Sequence, residues 1–248
     1  MKTKVNIRVA VLTGMVIVVL LTSLKTASII NKNMIGAWHY GTPGNHTVLI
    51  NSETAFAAAT YDLPGKKFIS SYGGTWRIAG NELVRKIEWN SANPEEVGKE
   101  LKLAMQLTGD KLVLKPQNET FTRIDDGKPG ELAGAWIITG RYKNDTLAKS
   151  PVIFKSRRTM KILSGTRFQW IAYDIDSKKF FNSGGGTYTT TNGKYTENIE
   201  FFTKTAESVG KSLNFNYAFD KGNWRHSGLS TAGKKIDECW TRREALEK

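Results

Sequence analysis

The chain contains one cysteine, Cys239, among its 248 residues. A single cysteine excludes an intramolecular disulfide, so packing alone has to stabilise the fold. The thiol lies between Glu238 and Trp240 in a predicted strand, where we expect it to be buried and unreactive. Prolines are also few, 6 against 23 glycines, and 40% of the residues are hydrophobic, which excludes a collagen-like or disordered chain.

Histidines are scarce as well, since His39, His46 and His226 are the only three. They are scattered, without the His-x-His or His-x₃-His spacing of a metal site, and no serine stands in the elbow motif of a hydrolase. We therefore predict no metal, no cofactor and no enzymatic activity.

Long apolar runs are lacking except near the N-terminus. Basic residues precede the apolar segment Val9–Leu24, an arrangement typical of an export signal. A cut after Ala27 would place Lys25 where signal peptides carry a small neutral residue, so an uncleaved membrane anchor stays an alternative. We predict that residues 1–33 are an export signal or anchor and that the protein is exported, to the periplasm or the cell exterior.

The formal charge of +13 predicts a basic surface, which favours an anionic surface or an envelope partner. The basic residues occur as scattered pairs, such as Lys66-Lys67 and Arg157-Arg158, and no nucleic-acid-binding motif is present. We therefore predict no nucleic-acid partner.

An internal repeat dominates the rest of the chain. At an offset of 112, residues 47–101 align with 159–213 without a gap, and 21 of these 55 positions are identical. Gly36-Ala37-Trp38 and Gly134-Ala135-Trp136 open the two copies. Copy two carries about 14 extra residues near its start and about seven before its last strand, and such insertions belong in loops. The sequence predicts domains at 34–124 and 131–244, a Gly/Pro linker at 125–130 and a tail at 245–248.

Short segments rich in β-branched and aromatic residues, separated by turn signals, predict about eight antiparallel strands in each copy. The Asn192-Gly193 pair predicts a tight hairpin, and residues 93–97 and 205–209 are short helix-like patches. Closing the strands into a barrel removes exposed edges. The predicted fold class is therefore all-β, with two tandem barrels after the leader.

The Gly-Ala-Trp that opens each copy and the Thr-Arg in each last strand resemble the two ends of the lipocalin pattern. Copy two, through residues 166–173, 184–188 and 195–202, is similar to lipocalin-like (calycin-type) domains of unknown function in exported bacterial proteins. The resemblance implies a lipocalin-like barrel and a structural contact in which a guanidinium covers an indole, pairing Trp38 with Arg123 and Trp136 with Arg242.

The same strand is slender in copy one, at residues 55–59, and bulky in copy two, at 167–171. Phe168 and Trp170 share one face of this strand, so barrel two is either filled or offers an aromatic-lined pocket. Glu88 and Glu200 occupy equivalent positions on apolar strands, where each either binds a polar ligand head or joins strands. The residues predicted to bind a ligand are Phe168, Trp170, Tyr173, Tyr188, Tyr195, Glu200, Tyr217 and Trp224.

We expect a small lipophilic or amphipathic molecule as the ligand of an exported or envelope-anchored binding protein. The alternative is an envelope interaction module with filled barrels, and an enzyme for a small substrate is a further one. Function is expected where the copies diverge.

Overall fold

The computed structural model describes residues 32–150 and 154–247. The predicted leader lies almost entirely outside these residues. Within the described part of the chain, no helix has the length and apolar character needed to cross a membrane.

The first copy forms a closed, eight-stranded antiparallel barrel in which each strand pairs with the next and β8 returns to β1. Its strands are β1 (Gly36–Thr42), β2 (Asn45–Asn51), β3 (Ala55–Asp62), β4 (Lys67–Ala79), β5 (Glu82–Asn90), β6 (Glu100–Thr108), β7 (Lys111–Leu114) and β8 (Glu119–Asp125).

The second copy repeats this barrel with one added strand, and β17 pairs with β9 to close it. Its strands are β9 (Gly134–Lys143), β10 (Thr146–Lys149), β11 (Arg157–Leu163), β12 (Arg167–Asp174), β13 (Lys179–Thr191), β14 (Lys194–Phe202), β15 (Ser212–Asp220), β16 (Asn223–Leu229) and β17 (Lys235–Arg242). The extra strand β10 pairs with the end of β9 and belongs to the first insertion of copy two. The all-β prediction of two tandem barrels is confirmed.

Local sequence signals account for the turns and bends. Asn192 and Gly193 both adopt positive φ, at 49° and 74°, as a two-residue hairpin between β13 and β14 requires. The helix-like patches are the 3₁₀ turns Pro94–Glu96 and Ala206–Ser208. The paired glycines mark a β-bulge in each barrel, where the register shifts between Gly185 and Gly186 and at the equivalent pair in copy one.

Each barrel is closed by an arginine that covers a tryptophan. The Arg123 guanidinium lies 4.0 Å from the Trp38 ring centroid, and that of Arg242 lies 3.9 Å from the Trp136 ring. The indole nitrogens also repeat one hydrogen bond to the residue four positions earlier, from Trp38 to the Met34 carbonyl and from Trp136 to the Leu132 carbonyl. The predicted pairing is confirmed in both copies. Cys239 is fully buried, as expected.

The two barrels pack against each other through equivalent outward-facing residues, in the manner of a two-fold interface. The Tyr61 hydroxyl donates to Glu200 across the interface at 2.6 Å, and the Tyr173 hydroxyl donates to Glu88 at 2.6 Å. The rings of Phe68 and Phe180, also equivalent, stack with centroids 5.7 Å apart. The shared residues of the repeat therefore build the interface as well as the barrels.

Gln169 lies where the two copies meet and departs from the repeat. Its side-chain amide donates to Ser71 of barrel one at 2.8 Å and to Ser183 of barrel two at 3.0 Å, and these serines are equivalent. The small residues Ala55, Ala57 and Ala59 of β3 are buried on the facing side. They leave room for the longer side chains of β12, so the slender strand of copy one is partly an adaptation to this interface.

Buried charges join the barrels at Glu88. Its carboxylate accepts hydrogen bonds from Arg243 at 2.6 and 3.0 Å and from Arg158 at 3.0 Å, both from copy two. Burial pushes the pKa of Glu88 upward, but the two arginines and the Tyr173 hydroxyl outweigh burial and hold that pKa below its usual value. The carboxylate is thus ionised, and it compensates the guanidinium of Arg158 and, together with Glu247, that of Arg243.

Replacing Arg242 by Ala removes the cover of Trp136, and we expect a loss of about 0.5–2 kcal/mol of stability with an unchanged set of bound ligands. Thermal unfolding measures the stability, and mass spectrometry of the native protein measures the ligands. A variant as stable as the wild type would reject the structural pairing.

Replacing Glu88 by Ala leaves Arg158 without its carboxylate and Arg243 with Glu247 alone, which is expected to lower the free energy of unfolding by about 3 kcal/mol. The matched control is Glu95→Ala, because Glu95 also pairs across the barrels, with Lys178, but on the exposed surface. Urea unfolding should show no measurable change for the control. Equal behaviour of the two variants contradicts the role given to Glu88.

Candidate functional site

Barrel two contains a partly open pocket of about 300 Å³, here called the chamber. Its wall is mostly apolar and is formed by Trp170, Ile199, Phe202, Leu213, Phe215, Ile236 and Trp240. Lys204 and the second insertion of copy two contribute to the lining, the insertion through Ser230 and Thr231. Besides Lys204, four ionisable side chains line the chamber: Lys161, Glu197, His226 and Glu238.

A buried ion pair lies on the wall of the chamber. Lys161 of β11 donates to Glu197 Oε1 of β14 at 2.6 Å, and both side chains are almost completely buried. The Tyr195 hydroxyl donates to the same oxygen at 2.9 Å. The Lys161 ammonium is also surrounded by aromatic rings, with centroids between 5.0 and 5.7 Å away, those of Tyr195, Phe215, Trp224 and Trp240. Such contacts stabilise a cation that has lost its water.

His226 lies beside this pair and faces Glu238. His226 Nδ1 is 3.4 Å from Glu238 Oε2, which also accepts a hydrogen bond from the Trp240 indole. Burial and the nearby Lys161 charge lower the pKa of His226 to about 4. Burial raises the pKa of Glu238, but the contact with His226 and the positive charges of Lys161 and Arg141 lower it more. The pKa of Glu238 therefore lies below its ordinary value. The histidine is therefore neutral and the carboxylate ionised at neutral pH.

Two polar atoms in this region lack a hydrogen-bond partner among the described residues, His226 Nε2 and the Trp224 indole nitrogen. Unsatisfied buried polar atoms are rare in folded proteins and call for an explanation, and barrel one has two as well, Arg85 Nε and Nη2. The two atoms of barrel two both belong to β16, on its inward side.

The polar cluster of barrel two consists of Lys161, Tyr195, Glu197, His226 and Glu238, and it is absent from barrel one. The strand registers place Leu49 at the position of Lys161, Leu83 at that of Tyr195 and Leu114 at that of His226. Glu197 corresponds to Arg85. Since copy one builds the same barrel with leucines, the cluster is not needed for the fold.

The interior of barrel one is packed around Arg85 instead. This guanidinium is buried, lies 4.4 Å from the Phe56 ring centroid and donates to the Tyr72 hydroxyl at 3.1 Å. Tyr72 occupies the position of Gly184 in copy two, so a large ring lies where copy two has no side chain. The two interiors differ, as the divergence of the copies predicts.

Of the eight residues predicted to bind a ligand, Trp170 is the one that lines the chamber. Phe168, Tyr188, Tyr195 and Trp224 lie in the buried core of barrel two, and Tyr217 packs against this core from a half-buried position. The Tyr217 hydroxyl donates to Glu131.

Tyr173 and Glu200 do not reach the chamber, which corrects their expected place inside the barrel. Tyr173 follows the outward alternation of β12, opposite to Phe168 and Trp170. The bulge opposite Gly185 and Gly186 puts Glu200 on the outward side, where it meets Tyr61 and, at 2.6 Å, Arg167. The alternation of side chains therefore breaks at this glutamate.

Sequence reasoning missed Lys161, Glu197, His226 and Glu238. The signal that would have found Lys161 is a lysine within the apolar stretch 160–163, at a position where the aligned copy has Leu49. Such an exchange within a strand face marks a buried charge.

Some depressions on the surface are larger than the chamber but have fewer features of a binding site. One of about 1020 Å³ beside barrel one contains Arg123 and Asp110, which already pair at 2.9 Å. Among the described residues, no cluster of three or more His, Cys, Asp or Glu side chains is arranged to hold a metal.

The buried neutral His226 makes stability depend on pH. Between its ordinary pKa of 6.5 and its folded pKa of about 4, the unfolded chain binds a proton that the folded chain does not. Its contribution is therefore complete above pH 6.5 and falls with acidity. From pH 7 to pH 5 we expect the wild type to lose about 2 kcal/mol more than His226→Leu.

Urea unfolding at both pH values measures this difference. Leucine is the matched replacement because Leu114 fills the equivalent position of copy one. Lys161, Glu197 and Glu238 are the charged groups that face the imidazole. Parallel pH profiles for the two proteins would contradict a buried neutral histidine.

Among known proteins, a family without an assigned function is similar to part of the chain. Residues 131–248 match the family model described as "Domain of unknown function (DUF4488)". No curated protein matches the chain. The match covers the whole of barrel two, including the chamber, so this half of the chain is similar to that family.

Proposed function

We propose that the protein is an exported or envelope-anchored, lipocalin-like binding protein that holds a small amphipathic molecule in barrel two. The observation that carries the proposal is the chamber of about 300 Å³ with a buried polar cluster that barrel one lacks. This volume lies at the lower end of the range for small-molecule sites, about 300–1,000 Å³.

The composition of the chamber supports an amphipathic occupant. Its apolar wall favours hydrocarbon or aromatic groups, whereas the Lys161–Glu197 pair and His226 offer a polar end. A buried ion pair is weak evidence for stability, because an apolar replacement is often as stable. Copy one supports this reasoning, since leucines occupy the positions of Lys161 and His226.

The alternative function, an envelope interaction module, is favoured by a basic groove of about 630 Å³ on barrel two. Its cationic residues are Arg141, Lys149, Lys155, Arg157 and Arg158, and none of the described residues that line it is acidic. A groove of this charge favours an anionic surface or partner. Arg158, however, is already engaged by Glu88.

Native mass spectrometry of the protein purified from its own host tests the proposal. We expect a bound small molecule in the wild type. Leu213→Trp should displace it, because Leu213 is a half-buried residue of the chamber wall. The control is Leu101→Trp, which makes the same change at the equivalent, half-buried position of barrel one and should retain the ligand.

Wild-type protein without any bound small molecule would contradict the proposal. If a protein partner is recovered together with such empty barrels, the interaction module is supported instead. A ligand that survives in Leu213→Trp but not in Leu101→Trp would place the site in barrel one.

A further inference from the structure

Glu197 offers the chamber an oxygen that the protein does not use. Its Oε1 accepts hydrogen bonds from both Lys161 and Tyr195. No described residue donates to its Oε2, and Glu197 lines the chamber. An ionised carboxylate oxygen only accepts hydrogen bonds. The group that meets it must therefore be a donor.

His226 presents a second acceptor close by. Its Nδ1 faces the ionised Glu238, which cannot donate, so the proton of the neutral imidazole is assigned to Nδ1. Nε2 then carries a lone pair, and it has no partner among the described residues. Glu197 Oε2 and His226 Nε2 are thus both acceptors, and the unpartnered donor of this region, the Trp224 indole nitrogen, belongs to a residue that does not line the chamber.

The charges of the chamber are already balanced. Lys161 pairs with Glu197 at 2.6 Å, His226 is uncharged, and the two other charged residues of the lining, Lys204 and Glu238, are of opposite sign. A cationic or anionic ligand head would upset this balance and add a charge that has to lose its water. An anion at Lys161 would also lie against the Glu197 carboxylate.

Aromatic side chains shape the remaining space. Trp170 and Phe202 meet edge to face with ring centroids 5.7 Å apart, and Phe215 and Trp240 belong to the same wall. Aromatic rings make offset-stacked or edge contacts with flat ligands.

We infer that the ligand of barrel two is a flat, uncharged, mostly apolar molecule with a hydroxyl or N–H group that donates to Glu197 Oε2. This inference rests on the proposed function and specifies its ligand class. The site selects a ligand by its hydrogen-bond donor, because a molecule of the same shape without the donor leaves the carboxylate oxygen desolvated and unpaired.

Four naphthalenes with the same ring test the inference by titration calorimetry at pH 7. They are 2-naphthol, 2-methoxynaphthalene, 2-naphthoate and 2-naphthylmethylammonium, which offer a neutral donor, no donor, an anion and a cation. We expect 2-naphthol to bind at least about tenfold more tightly than each of the others.

The double variant Lys161→Leu/Glu197→Leu removes both charges together, so neither is left unpaired. It should bind 2-naphthol and 2-methoxynaphthalene equally. The control His39→Leu changes a polar residue of barrel one, outside the chamber, and should keep the preference for 2-naphthol. Circular dichroism confirms that each variant is folded.

Other outcomes overturn the inference in distinguishable ways. Equal binding of 2-naphthol and its methyl ether by the wild type shows an apolar site that ignores the donor. Tightest binding of 2-naphthoate shows that Lys161 is the anchor for an anion. If none of the four binds while a ligand is found in the native protein, the ligand class is wrong but the proposed function stands; if neither is seen, both fail.

Discussion

The buried carboxylate of Glu88 is the interaction on which the arrangement of the two barrels depends. It lies in copy one, yet all its partners, Arg158, Tyr173 and Arg243, come from copy two. A carboxylate in such a place is tolerated only if cations and donors surround it, and they fix the barrels relative to each other. Glu200 repeats only the tyrosine contact across the barrels, with Tyr61, because its cation, Arg167, belongs to its own copy.

The two copies share the frame of a barrel but not its contents. Trp38 with Arg123, and Trp136 with Arg242, close both barrels in the same way. Inside, copy one is packed around a guanidinium, whereas copy two keeps a chamber beside a lysine–glutamate pair. Residues that the copies share therefore build the barrels and much of the interface between them, whereas the residues that fill or line the two interiors differ.

The sequence predicted the fold well because its signals are local or repeated. Strand spacing, the Asn192-Gly193 hairpin and the two Gly-Ala-Trp segments each depend on few neighbours. The direction of individual side chains was harder to predict, since a bulge puts both Glu200 and the adjacent Phe201 on the outward face. The docking of the barrels was not predictable from strand patterns, because residues that point out of a barrel show the same pattern whether they face solvent or a second barrel. For the same reason the alanines of β3 were interpreted only as a feature of the lumen.

The reciprocal contacts of Tyr61 with Glu200 and of Tyr173 with Glu88 have a historical consequence. A face that pairs with its own copy is what a symmetric homodimer of a single barrel would need. Fusion of two such genes would fix the ratio of the two barrels at one to one. It would also allow the sequence of each barrel to change independently of the other. One subunit was then free to become a filled support, while the other retained or acquired an internal chamber.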